Sequence, residues 1–104
     1  MTPVIITLYN RPSHTNQLFE SILNSQKYKK FKFYVFCDGP KSKNDNLKIK
    51  EIKKILNLYK NRLKIKCFFR KKNTGLLKNI TSSISYILKK YDKAIILEDD
   101  LIIN

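Results

Sequence analysis

Four short runs of β-branched and apolar residues alternate with three stretches whose apolar side chains recur every three or four positions. This alternation constrains the fold more than any other feature of the chain. Residues 3–8 (PVIITL) read as a buried strand. Residues 13–25 follow as a helix, with Leu18, Phe19, Ile22 and Leu23 on one face and Ser13 as its N-cap. Residues 31–37 (FKFYVFC) are strand-like again and close on the turn Asp38-Gly39-Pro40. Asp45 then caps a helix over 46–59, with Leu47, Ile52, Ile55, Leu56 and Tyr59 inward. A third strand spans 63–69, and Asn73-Thr74-Gly75 breaks the chain before a third helix. That helix carries Leu76, Ile80, Ile84, Ile87, Leu88 and Tyr91 at helical spacing. Residues 93–97 (KAIIL) form the last strand. Such alternation predicts right-handed βαβ units, hence an α/β, Rossmann-like, mostly parallel sheet with helices on its faces. At 104 residues the chain is a single domain, 1–104.

Two glycines, Gly39 and Gly75, are all the chain contains. Neither the G-x-G-x-x-G dinucleotide loop nor the G-x-x-x-x-G-K phosphate loop can be written with them. No apolar run is long enough to span a bilayer, and no secretory h-region is present. Cys37 and Cys67 stand apart, His14 is the only histidine, and neither thiol has a partner at metal-ligand spacing. They read as reduced core thiols of a cytoplasmic chain.

The net charge of +14 raises nucleic acid or an anionic membrane surface as a partner. Yet 19 of the 22 cations are lysine, whereas base-edge and bidentate phosphate recognition favour arginine. Lys, Ile and Asn together fill 43 of the 104 positions, a bias expected of an AT-rich coding sequence. A basic noncatalytic module binding nucleic acid or anionic surfaces is therefore the second reading. A specific nucleic-acid partner is not expected.

Ligands of open α/β sheets bind beyond the carboxyl ends of the strands. Here those ends carry Tyr9-Asn10-Arg11, Asp38-Gly39, the residues 70–73, and Glu98-Asp99-Asp100. The acidic trio holds three of only eight acids. Unit charges about 4 Å apart repel by roughly 4 kcal/mol at an effective dielectric near 20, so the cluster reads either as a solvated acidic turn or, placed after a buried strand in so basic a chain, as a site for a counter-cation. Oxygen ligands select a hard ion, Mg²⁺ or Mn²⁺, which also bridges to phosphates. Asp38 reads either as a turn-shaping residue or as an acceptor for a nucleobase N–H. Arg11 reads as a surface charge or as a group that stacks on a base. His14 reads as a surface residue.

The segments PVIITLYNRP (3–12), FCDGP (36–40), NTGLLKNI (73–80) and IILEDDL (95–101) occur in this order over essentially the whole chain. Together they resemble the nucleotide-sugar glycosyltransferases of the GT-A fold, in the family-2-like set. The variant is the N-acetylglucosaminyltransferase I-like one, whose metal motif reads Glu-Asp-Asp. The resemblance implies metal-dependent transfer of a hexosyl or N-acetylhexosaminyl group from a nucleoside diphosphate sugar to a glycan, lipid-linked or protein acceptor.

The same resemblance implies that Asn10 and Arg11 line the nucleobase and ribose pocket and that Asp38 contacts the base. Asn73 and Lys78 flank the nucleotide and sugar. Glu98 and Asp99 face ribose, sugar or metal-bound water, and Asp100 is the direct ligand of Mn²⁺ or Mg²⁺. Members of the family continue past the acidic motif into an acceptor region that holds the catalytic base. A chain stopping at Asn104 is thus expected to be a truncated, donor-binding half, inactive alone and assigned no catalytic residue. Its last strand should leave an apolar edge open to a companion chain or to self-association. The expected location is cytoplasmic, peripheral to the membrane.

Overall fold

The computed structural model describes residues 1–98. Its elements run β1 (Thr2–Leu8), α1 (Pro12–Asn24), a short 3-10 turn (Tyr28–Lys30), β2 (Phe31–Cys37), α2 (Lys43–Tyr59), β3 (Ile65–Phe69), α3 (Leu76–Leu88) and β4 (Ile95–Glu98). The four strands form one sheet in the order β3-β2-β1-β4. Every pairing is parallel: Leu8 lies beside Cys37, Cys37 beside Phe69, and Thr7 beside Glu98. The α/β class and the alternation of elements are those expected from the sequence.

Side-chain alternation along the strands separates two cores. Val4, Ile6 and Leu8 of β1, with Phe33, Val35 and Cys37 of β2, pack against Leu18, Phe19 and Ile22 of α1 and against Ile49, Ile52 and Leu56 of α2. Ile5, Tyr34 and Phe36 face the other way, toward Ile84 and Ile87 of α3. Ile5, Ile6 and Phe19 are fully buried, each stabilising the fold by about 1.5–3 kcal/mol through area removed from water. So α1 and α2 cover one face and α3 covers the opposite one.

That division sets the location of the site. The chain winds outward from β1 through β2 to β3, then returns on the other face to place β4 beside β1. Winding reverses between β1 and β4, and the crevice of a doubly wound sheet opens at that point.

Several local expectations are corrected. Helix α1 starts at Pro12 with Arg11 at its N-cap, so Ser13 lies inside the first turn. Proline's fixed φ and missing N–H suit the first helical position. Helix α2 starts at Lys43, three residues early, with extended Ser42 as N-cap; Asp45 sits within the helix and is buried. Extending the helix reveals one stripe of Asp45, Ile49, Ile52 and Leu56, which turns Leu47 outward to solvent. In α3 the buried stripe is Asn79, Ser83 and Ile87, while Leu76 and Leu88 are exposed. Cys37 is buried but Cys67 only half-buried, its thiol pKa pushed up by burial. Ile95 and Ile96 of β4, which stands at the end of the strand order, are 41% and 43% exposed. Among the described residues no helix is long and apolar enough to cross a membrane.

Candidate functional site

A cleft of about 370 Å³ opens at the switch point. Its floor and first wall are the end of β1 and the following turn, from Thr7 to Arg11, with Glu98 of β4 beside them. Asp38 and Lys41 close a second side, and Asn73, Gly75, Leu76 and Asn79 supply the third from the start of α3. Of the residues singled out in the sequence, Asn10, Arg11, Asp38, Asn73 and Glu98 line this one cleft. Lys78 lies on exposed α3 surface and is not among the lining residues. Asp99 and Asp100 lie outside the described residues, and His14 is exposed.

Asp38 follows β2 directly and is 4% exposed. Its Oδ1 accepts from the backbone N–H of Gly39 at 2.8 Å, the N–H of Thr74 at 2.8 Å and the hydroxyl of Thr74 at 3.1 Å. Its Oδ2 accepts from the N–H of Gly75 at 3.0 Å. The carboxylate thus clasps the loop before α3 to the end of β2, and Oδ2 keeps spare acceptor capacity. Asn73 fastens the same two segments, donating from Nδ2 to the Gly39 carbonyl at 2.8 Å.

A second clasp was not legible in the sequence. Asp45, 6% exposed, reaches back across the cleft wall to the turn after β1. Its carboxylate accepts from the Tyr9 hydroxyl, from Asn10 Nδ2 at 2.9 Å and from the backbone N–H of Lys41 at 2.9 Å. These donors stabilise the ionised form and hold the carboxyl at about 2, with Tyr9 the largest influence and Asn10 next. Burial, then the bond to Asp45, pushes the Tyr9 phenol up to about 12. Asn10 therefore meets the cleft with one of its two amide N–H donors committed. The available signal was the pair Ser42 and Asp45, three apart ahead of an apolar periodicity, which marks a helix start.

Asn79 was also missed, though it lies within the NTGLLKNI segment. It is 2% exposed, donating from Nδ2 to the Phe36 carbonyl at 3.2 Å and accepting from Arg70 Nε at 2.6 Å. Arg70 further donates to the Ser82 hydroxyl at 2.8 Å and lies 5.7 Å from the centre of the Phe36 ring. This network ties the end of β3 to α3 beneath the cleft.

Thr7 and Glu98 each carry an oxygen group without a hydrogen-bond partner among the described residues. Thr7 Oγ1 is buried and has no hydrogen-bond partner among the described residues. Glu98, its register partner on β4, lines the cleft, and its side chain makes no hydrogen bond to a described residue. Among the described residues no group of three His, Cys, Asp or Glu side chains could hold a metal ion. Asp38 and Asp45 are engaged by N–H and O–H donors, so Glu98 is the carboxylate free for a ligand among the described lining residues. An oxygen donor of this kind, in the run Glu98-Asp99-Asp100, fits a hard divalent cation.

No family model matches the chain, and no curated protein matches it. Solved structures do. The 1–349 segment of S. aureus TarS superposes with a TM-score of 0.73 at 23% identity, covering 100% of this chain and 29% of that one. A second TarS structure gives 0.69 at 22% identity, covering 96% of this chain and 17% of that one. The TarS 1–349 complex with UDP gives 0.68 at 20% identity, covering 96% and 28%. The chain thus spans less than a third of the proteins it superposes on. At such identities the likeness is one of fold, and it extends over the whole run of elements from β1 to β4: a Rossmann-like, parallel α/β sheet.

Proposed function

We propose that this chain binds the nucleoside diphosphate sugar of a metal-dependent glycosyltransferase, supplying the donor-binding part of the enzyme. The observation that carries this reading is the meeting of Asn10, Arg11, Asp38, Asn73 and Glu98 around one cleft at the switch point. Support comes from a fold shared with TarS, one of whose structures holds UDP. The GT-A family, the N-acetylglucosaminyltransferase I-like variant and hexosyl or N-acetylhexosaminyl transfer belong to the same proposal.

In this reading the turn Tyr9-Asn10-Arg11 flanks nucleobase and ribose, and Asp38 Oδ2 offers its spare lone pair to a base N–H. The exposed cations Arg11 and Lys41 sit at the cleft and attract the diphosphate, work that a glycine-rich loop performs elsewhere. Asn73 borders the sugar-diphosphate, and Lys78 adds positive charge from α3. Glu98, Asp99 and Asp100 would hold Mn²⁺ or Mg²⁺, with Asp100 as the direct ligand. Such an ion supplies Lewis-acid neutralisation of the departing nucleoside diphosphate. The chain's own residues bind and orient the donor, and none is assigned as the base that activates the acceptor.

Titration calorimetry of the whole chain with UDP, UDP-sugars and GDP-sugars, in Mn²⁺ and in EDTA, tests the reading. Binding of one nucleotide class, weakened by EDTA and by Asp100→Ala, is expected. A folded sample that binds none of them overturns it. If that sample instead binds RNA with a steep salt slope, the basic-module reading replaces it.

A further inference from the structure

We propose that the outward face of α2 docks on an anionic lipid bilayer. The stripe Asp45, Ile49, Ile52 and Leu56 fixes the rotation of this helix against the sheet. The opposite side, by the same helical period, presents Lys43, Leu47, Lys50, Lys54 and Leu58. Leu47 and Leu58 are 76% and 73% exposed. They lie eleven residues apart, close to three full turns, so both project from one line of the helix.

The charge of this face selects the occupant. Helix α2 carries Lys43, Lys48, Lys50, Lys53 and Lys54, with Glu51 as the acid exposed among them. The other acid of the helix, Asp45, is turned inward to Tyr9 and Asn10. Lys53 is partly committed to β3, its Nζ lying 4.9 Å from the centre of the Phe69 ring. The remaining lysines bracket the two leucines. Long lysine stems lie along an interface while their ammonium groups meet lipid phosphates, and leucines enter the acyl boundary. A nucleic acid would use the lysines but leave both leucines idle, and α2 offers neither an arginine nor an exposed aromatic ring for a base. A second copy of this face would meet it with like charge. Docking through the side of α2 turned from the sheet leaves the cleft uncovered, so this inference does not depend on the nucleotide-binding proposal.

Cosedimentation with vesicles tests it, comparing phosphatidylcholine alone with phosphatidylcholine mixed with phosphatidylglycerol. The chain is expected to sediment with the mixed vesicles only, and less so as salt rises. L47S/L58S should weaken that partition about tenfold or more while leaving retention on heparin unchanged. K50E/K54E should abolish it, and K29E/K30E, on the separate turn before β2, should change it less than about twofold. The leucines are solvent-exposed, so circular dichroism should show every variant folded. A leucine variant that binds like the parent overturns the proposal. So does an equal loss in K29E/K30E, which would mean diffuse charge, and so does a chain that binds RNA but neither vesicle.

Discussion

The Asp45 carboxylate accepts from Asn10 Nδ2 at 2.9 Å across 35 positions of sequence, so the first turn of α2 holds the turn that follows β1. With the Tyr9 hydroxyl on the same carboxylate, one wall of the cleft is preorganised from a distant element. Asp45→Ala should lower the melting temperature by roughly 5 °C or more and weaken UDP binding, because Tyr9 and Asn10 lose their common acceptor. The two ionisable partners also bracket a plateau of stability. The Asp45 carboxyl is depressed in the folded chain, so its contribution is present above the unfolded value of 3.8 and fades as pH falls toward about 2. The Tyr9 phenol is raised, so its contribution is present below 10.0 and fades as pH climbs toward about 12. Melting temperature against pH should be flatter at both extremes in Asp45→Ala than in the parent.

Asn79 satisfies Arg70 Nε and the Phe36 carbonyl together. Asn79→Ala leaves a guanidinium N–H and a carbonyl without their partner, at a cost of about 2–3 kcal/mol. Urea unfolding should show that loss with an unchanged m-value.

The order and type of elements were legible because βαβ alternation writes itself as a switch between two periods. What escaped was the use of polar residues at long range. Asp45 stands where a helix cap stands, and no local pattern says that its carboxylate turns to Tyr9 and Asn10 instead. Leu47 was misplaced because it stands five residues before Ile52 and nine before Leu56, on the opposite side of the helix, while the inward stripe continues through Ile49 to the polar Asp45. Asp38 announced itself by its turn, but its bonds to Thr74 and Gly75 depend on β3 and α3 coming alongside, which only the assembled sheet provides. Asp99 and Asp100, central to the metal expectation, lie outside the described residues.

The two glycines answer different demands. At Gly39 a Cβ would stand 2.4 Å from the carbonyl carbon and 2.5 Å from the carbonyl oxygen of Lys72. Gly39→Ala must displace that backbone, costing about 1–3 kcal/mol and disturbing adjacent Asn73. Gly75 has φ of +89° and open space within 4 Å of where a methyl would stand, so Gly75→Ala incurs backbone strain alone. Both variants should unfold at lower urea, but only Gly39→Ala should also lose UDP affinity strongly.

Thr7 Oγ1 is a buried hydroxyl lacking a partner among the described residues. Thr7→Val keeps the shape and removes that unsatisfied group, so stability should rise by up to about 1 kcal/mol. Ligand binding should weaken in the same variant. An unchanged affinity in titration calorimetry would show that the hydroxyl is not used by the nucleotide sugar.

Asp38 and Glu98 line the same cleft but should part company on mutation. The Asp38 carboxylate takes four hydrogen bonds from Gly39, Thr74 and Gly75. Asp38→Asn swaps one acceptor for a donor within that cage and should cost about 2–4 kcal/mol of stability. The Glu98 side chain has no hydrogen bond to the described residues, so Glu98→Gln should change stability by less than about 0.5 kcal/mol. Its effect should fall on ligand instead, weakening UDP in Mn²⁺ while leaving the value in EDTA nearly unchanged. If Glu98→Gln weakens UDP equally in both conditions, its carboxylate touches the nucleotide and not the cation. If it alters neither, the metal proposal loses its one ligand within the described cleft.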